Sequence, residues 1–72
     1  VSDATTAIAI AVAVWEPIYG HEQISRQKPY KASLVNGIWT VQGSLQKNSL
    51  GGVAVAEIAK DDGRVLRVSH GK

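Results

Sequence analysis

The most conspicuous candidate for chemistry is His21, which is followed by Glu22 in a polar stretch. This pair resembles the start of a zinc-protease motif, in which two histidines four positions apart ligate the metal. The second ligand position is occupied by Ser25 instead. We therefore predict a solvent-exposed turn at this point, with no metal site and no cofactor.

The second histidine, His70, directly follows Ser69. A nucleophile, a base and an acid must converge within hydrogen-bond reach, whereas neighbours on a strand point to opposite faces of a sheet. We interpret His70 as a structural or interface histidine and predict no catalytic residue. Glu57 lies in a run of valine and alanine, which leaves open an acid–base role or a cross-strand ion pair with Arg67. We favour the ion pair.

Length and charge narrow the functional classes further. The 72 residues predict a single domain, 1–72, with eight basic and six acidic side chains and a net charge of +2. The basic residues are scattered, whereas a nucleic-acid binder usually concentrates them, so we expect no nucleic-acid partner. The apolar run from 7 to 15 is too short for a bilayer span of about 20 residues. No cysteine is present, so the cellular compartment cannot be inferred from disulfide chemistry.

The N-terminal segment fits two patterns, since its apolar residues alternate with alanines but also recur at helical spacing. Five alanines between positions 4 and 13 favour a helix. Ser2 or Asp3 is expected to cap its start, Pro17 to kink or end it, and Gly20 to stop it. A short helical turn is predicted within 21–28, ending at Pro29.

A tight hairpin is predicted around Asn36-Gly37, the preferred pair for a two-residue type I′ turn. The predicted cross-strand pairs are Val35 with Ile38, Leu34 with Trp39, and Ala32 with Val41. One face of this hairpin is then apolar, as expected for a sheet covered on one side. That face consists of Tyr30, Ala32, Leu34, Trp39, Val41 and Leu45.

A second hairpin is predicted from 53–60 and 64–70, with a three-residue loop in which Gly63 takes the left-handed conformation. The expected pairs are Ile58 with Leu66, Ala56 with Val68, and Glu57 with Arg67. Residues 46–52 are predicted to form a loop or a bulge between the two hairpins. The predicted fold class is α+β, an N-terminal helix packed on a four-stranded antiparallel meander. Trp39 is assigned to the core, whereas for Trp15 both a core position and an interface position stay open.

Several features now combine into a family resemblance. The chain contains, in order, WEPIYG, Pro29, GIWTVQGSL and LGGVAVAEIAKDDGRVLRVSHGK. Over about Ile8 to Lys72 this order resembles bacterial immunity proteins with a cystatin-like or truncated nuclear-transport-factor-like fold. The matching features are Tyr19-Gly20, Pro29, Trp39, Gly43, Gly51-Gly52, Glu57, Asp62-Gly63 and Ser69-His70-Gly71. The stretch AVAEIAKDDGRVLRVS is also similar to the C-terminal hairpin of peptidase-propeptide domains.

The first resemblance implies a binding protein without catalytic activity, which neutralises a cognate toxin by occluding its active site. Such proteins serve as antitoxins in bacterial competition, for example against secretion system effectors. The alternative is a propeptide-like inhibitory domain of a peptidase. We expect the partner to be contacted by polar residues of two segments, with the outer sheet face as a further candidate. These residues are His21, Glu22, Gln23, Arg26 and Gln27 in the first segment, and Lys47, Asn48 and Ser49 in the second.

The expected location is the bacterial cytoplasm. The chain begins with Val1 rather than methionine, so we also consider a removed upstream signal and a periplasmic location. The oligomeric state is left open between monomer and dimer, because an exposed edge strand is able to pair with a copy of itself.

Overall fold

The computed structural model describes residues 3–44 and 52–70. In that part of the chain, two helices precede four strands. Helix α1 spans Ala4–Tyr19 and α2 spans His21–Ser25. The strands are β1 (Lys31–Val35), β2 (Ile38–Gln42), β3 (Ala54–Ala59) and β4 (Val65–His70). They form one antiparallel sheet in the order β1-β2-β3-β4, which confirms the predicted α+β meander.

Helix α1 begins and ends where its capping residues predict. The Asp3 carboxylate accepts a hydrogen bond from the Thr6 backbone N–H at 2.7 Å, so Asp3 is the N-cap. The helix continues through Pro17 instead of ending there. Proline has no backbone N–H to donate, but Pro17 lies in the last turn, so the helix loses a single hydrogen bond near its end. It stops at Gly20, whose φ of 92° is poorly accessible to other residues.

The core lies between α1 and the first three strands. The helix contributes Ala7, Ala11 and Trp15, spaced four residues apart and completely buried. The small alanines allow the helix to approach the sheet closely, while Trp15 fills the space near its C-terminal end. Trp15 is therefore a core residue. The sheet contributes the buried residues Trp39, Val41, Ala54, Ala56 and Ile58.

The first hairpin has the predicted register. Asn36 and Gly37 have φ values of 52° and 76°, as a type I′ turn requires, and Val35 pairs with Ile38. Trp39 and Val41 are buried as expected, but Leu34 is 41% exposed, so its assignment to a fully covered face is wrong. It lies on the edge strand, where a single neighbouring strand gives little cover. Leu45 lies outside the described residues.

The second hairpin differs from the prediction in two linked ways. Ala59 and Arg64 are joined by a 2.9 Å backbone hydrogen bond, so the loop has four residues, 60–63, and not three. Ile58 consequently pairs with Val65, and the expected Ile58–Leu66 pair is wrong. A bulge at Leu66 then restores the register, so the predicted pairs Glu57–Arg67 and Ala56–Val68 are confirmed. Gly63 has the expected left-handed conformation, with φ of 75°.

Within the described residues, no helix combines the length and the hydropathy that crossing a membrane requires.

Candidate functional site

The corner between α1 and α2 positions His21, the first of the predicted contact residues. Gly20 donates its backbone N–H to the Glu16 carbonyl at 2.8 Å, and the chain then turns directly into α2. This turn brings the His21 ring back to the end of α1, where Nδ1 lies 2.7 Å from a Glu16 carboxylate oxygen. The His21 side chain is 77% exposed. The corner is therefore a polar surface feature held by a local hydrogen bond.

Ser25 extends this contact into a chain of three groups. Its hydroxyl lies 3.4 Å from His21 Nε2, so a carboxylate, an imidazole and a hydroxyl stand in the order of an acid, a base and a nucleophile. The order alone does not make a catalytic site, because the imidazole is in solvent and the hydroxyl contact is long. Sequence reasoning missed the grouping because Glu16 belongs to a different helix from His21 and Ser25.

The exposed side of α2 carries three more of the predicted contact residues. Glu22 and Arg26 lie 3.8 Å apart at i and i+4, and their side chains are 87% and 70% exposed. Gln23 is also exposed. An ion pair this open to water adds little to stability. Because both side chains are largely exposed, their charged groups are accessible to another molecule. On the opposite side, Ile24 is fully buried and attaches α2 to the core.

Gln27 does not belong to this surface. It is 5% exposed and is the only buried polar side chain among residues 3–44 and 52–70. Gln27 was predicted as a polar contact residue, but it is buried in the core, where both ends of its amide have hydrogen-bond partners. Its Oε1 accepts from the Ala54 backbone N–H at 2.8 Å, and its Nε2 lies 3.2 Å from His70 Nε2.

Gly43 provides the space that Gln27 occupies. A Cβ at Gly43 would collide with Gln27 Oε1 and would lie 2.7 Å from Gln27 Cβ. The backbone carbonyl of Gln27 also accepts a hydrogen bond from the Ser44 backbone N–H at 2.7 Å. Gln27 thus joins the segment after α2 to the ends of β2, β3 and β4. We refer to Gln27, Gly43, Ala54 and His70 as the Gln27 clasp.

Tyr30 attaches the same segment from the other side. Its hydroxyl donates to the Ile24 carbonyl at 2.7 Å, and its ring packs on Trp15 with the centroids 5.8 Å apart. Burial, with a smaller contribution from the Glu16 carboxylate, raises the pKa of Tyr30 above its usual value. The phenol therefore stays protonated and donates this hydrogen bond throughout the neutral pH range.

The residues of the sheet that invited a catalytic interpretation have structural surroundings. The His70 ring packs against Tyr19, with centroids 5.0 Å apart, in addition to its contact with Gln27. Glu57 lies opposite Arg67 as predicted, but the two side chains form no ion pair within 4.0 Å in the described structure. No cluster of three or more histidine or acidic residues that could hold a metal ion occurs among the described residues.

The second predicted contact segment, with Lys47, Asn48 and Ser49, lies outside the described residues. The first segment accordingly provides the candidate site: the exposed surface of α2 formed by His21, Glu22, Gln23 and Arg26, with Ile24, Gln27 and Tyr30 fixing it from below. We call this the α2 surface.

Comparison with known proteins identifies a family that this chain matches. A sequence model described as NTF2 fold immunity protein matches residues 6–72, from α1 to beyond β4. The chain is also 33% identical over 73 aligned positions to the uncharacterized protein YhhH of Escherichia coli strain K12. That alignment covers all of this chain and 58% of YhhH, so the chain spans little more than half the length of this relative. No solved structure matches the chain. The matching family gives no support to the peptidase-propeptide alternative.

Proposed function

The chain belongs to the NTF2 fold immunity protein family, and from this premise we propose that it binds a cognate bacterial toxin and neutralises it by occluding the toxin's active site. The observation that carries the proposal is the family match over residues 6–72. An immunity protein acts by binding, so we propose that the chain performs no catalysis. The proposed location is the bacterial cytoplasm, with the periplasm as the alternative.

The α2 surface is the proposed contact site, supplemented by Lys47, Asn48 and Ser49. The α2 surface is exposed and polar, yet it is held from below by a buried isoleucine and by the Gln27 clasp. A surface that is ordered before binding loses less conformational entropy when a partner arrives. This combination of accessible side chains and a fixed backbone supports a role in recognition.

The charges of the α2 surface support specificity. Acidic Glu22 and basic Arg26 are both largely in solvent, and His21 lies beside Glu16. A toxin surface with the reverse arrangement of charges would be attracted in one orientation and repelled in others. We propose that these charges set the association rate and the choice of toxin.

The test requires the cognate toxin, which we expect the gene adjacent to this one to encode. Coexpression is expected to restore growth to cells that produce the toxin, and the purified pair is expected to form a stable complex. Exchange of the two charges in Glu22→Arg/Arg26→Glu keeps the net charge but reverses their positions, so we expect slower association in surface plasmon resonance. The matched control is Glu57→Arg/Arg67→Glu on the outer sheet face, which we expect to leave association unchanged.

Two results would contradict the proposal. Absence of both protection and complex formation with the adjacent toxin would remove the proposed function. A complex that is weakened by the exchange at Glu57 and Arg67 but not by the exchange on α2 would retain the function and transfer the contact site to the outer sheet face.

A further inference from the structure

Among residues 3–44 and 52–70, no strand lies beside β1 on its outer side, so the backbone groups of that edge are available for hydrogen bonding. Strand β1 pairs with β2 on one side, and it is the first strand in the sheet order. In a two-residue hairpin the pair next to the turn, Val35–Ile38, is hydrogen-bonded, and bonded and unbonded pairs alternate along the ladder. The backbone N–H and C=O groups of Ala32 and Leu34 therefore point away from β2, toward the open edge.

The two edges of the sheet differ in how well they are protected against pairing with a strand of another molecule. Edge strands of stable monomers are usually blunted by bulges, prolines or inward-pointing charges. Strand β4 contains the bulge at Leu66, whereas β1 pairs with β2 without any irregularity over its five residues. Strand β1 exposes two apolar side chains, Leu34 at 41% and Val35 at 61%, whereas β4 exposes one, Leu66 at 43%. It is the edge better suited to adding another strand.

We propose that two copies of the protein associate through β1, antiparallel, about a two-fold axis that passes through Ser33. This register overlaps all five residues of the strand. Ala32 then faces Leu34 of the second copy, Lys31 faces Val35 of the second copy, and the two Ser33 residues face each other. The outward groups of Ala32 and Leu34 form two hydrogen-bonded pairs, which supply four backbone hydrogen bonds.

The side chains of β1 are complementary to themselves in this register. Leu34 gains cover beside Ala32 of the second copy, and the aliphatic stem of Lys31 lies over the exposed Val35 while its ammonium group stays in water. No two like charges face each other. Moving the axis to Lys31 would place two lysines directly opposite, which is unfavourable. A second copy thus satisfies both the hydrogen-bonding edge and the exposed apolar groups of β1.

The interface is small, because a five-residue strand contributes less area than a typical stable dimer interface. We therefore expect a weak dimer whose population rises with protein concentration. Sedimentation equilibrium of the unmodified protein is expected to show this rise. Hydrogen exchange is expected to slow at the amides of Ala32 and Leu34 over the same concentration range, while the amides on the outer edge of β4 are unaffected.

A cysteine at the two-fold axis tests the register directly, because the chain contains no cysteine of its own. In Ser33→Cys the two thiols belong to a pair without direct hydrogen bonds, with Cα atoms about 4.5 Å apart, which permits a disulfide. The matched control is Lys31→Cys, on the same strand and sheet face. Its copies would lie about 14 Å apart, beyond the reach of a disulfide.

Under mild oxidation we expect Ser33→Cys to double its mass in non-reducing electrophoresis and Lys31→Cys to remain monomeric, with both variants folded by circular dichroism. Equal cross-linking of the two variants would overturn the proposal. So would a monomeric unmodified protein at every concentration tested, together with rapid exchange at Ala32 and Leu34. The experiment needs no toxin and is independent of the proposed function.

Discussion

At the scale of single residues, the side-chain amide of Gln27 ties together parts of the chain that are far apart in sequence. Its oxygen accepts from the backbone N–H of Ala54, 27 residues away, and its nitrogen contacts His70, 43 residues away. Each buried polar group that loses its partner costs the free energy of desolvation. Gln27 therefore stabilises the fold through the groups that it satisfies as well as through its own burial.

Replacement of Gln27 by alanine should lower the free energy of unfolding by about 1–3 kcal/mol, because the Ala54 N–H is left buried without a partner. Urea denaturation followed by tryptophan fluorescence would measure the change. Gln23→Ala is the matched control: the same chemical change on the exposed side of α2 is expected to alter stability by less than about 0.5 kcal/mol. Equal effects of the two substitutions would show that the clasp does not stabilise the protein.

The clasp also selects the tautomer of the neutral His70 ring. Gln27 Oε1 accepts from the Ala54 N–H, so the amide nitrogen is the end that faces His70 and donates to it. In the neutral ring, Nε2 then accepts this hydrogen bond and the proton resides on Nδ1. Long-range ¹H–¹⁵N spectra at neutral pH should show this tautomer for His70. A ring protonated at Nε2 would contradict the hydrogen-bond assignment.

At the scale of elements, the start of α1 depends on the charge of Asp3. The hydrogen bond from the Thr6 backbone N–H, followed by that from the Thr6 side chain, lowers the pKa of Asp3 below its usual value. A carboxyl whose pKa is lowered by folding contributes stability above its unfolded pKa, and this contribution is lost as the pH falls through the folded value. The helix should therefore loosen at its N-terminus in acid.

Circular dichroism at 222 nm between neutral and strongly acidic pH would test this dependence. Asp3→Asn is the informative variant, because asparagine is an equally good N-cap that does not titrate. We expect the helical signal of the unmodified protein to fall more than that of Asp3→Asn as Asp3 is protonated. Parallel loss of signal in both proteins would assign the acid sensitivity to other groups.

The two hairpins show how far local sequence determines an element. The Asn36-Gly37 pair has an intrinsic conformational preference that selects one turn, and the turn selects the whole register of β1 and β2. The second hairpin has two compensating features, a loop one residue longer than expected and a bulge at Leu66. Because they cancel beyond Glu57, the predicted pairs there were right although the pair nearest the loop was wrong.

The candidate site was only partly predictable, for a related reason. The exposure of Glu22, Gln23 and Arg26 follows from the polar composition of a short helix. The burial of Gln27 follows from groups on β3, on β4 and directly after β2, and no local pattern distinguishes it from Gln23. A glycine at position 43, which leaves room for the amide, was the only signal in the sequence, and its meaning depends on the tertiary structure.

At the scale of the whole molecule, the same small core stabilises the fold and supports the α2 surface. A domain of this size is expected to have a net stability of about 3–5 kcal/mol. One line of side chains on α1 faces the sheet, and Trp15 is the largest of them. The α2 surface rests on this core through Tyr30, whose ring packs on Trp15. Loss of Trp15 should therefore abolish the proposed toxin binding without changing any exposed residue.

Trp15→Ala should lower the free energy of unfolding by about 3–5 kcal/mol. This loss is comparable with the entire stability of the domain, so we expect an unfolded chain. Two substitutions serve as controls. Ile18→Ala, on the same helix but 58% exposed, should stay folded. Trp15→Phe should also stay folded, because it keeps an aromatic ring and removes an indole N–H that has no hydrogen-bond partner among the described residues. Two-dimensional ¹H–¹⁵N spectra would distinguish these states. A dispersed, native-like spectrum for Trp15→Ala would mean that the core under the α2 surface does not depend on this tryptophan.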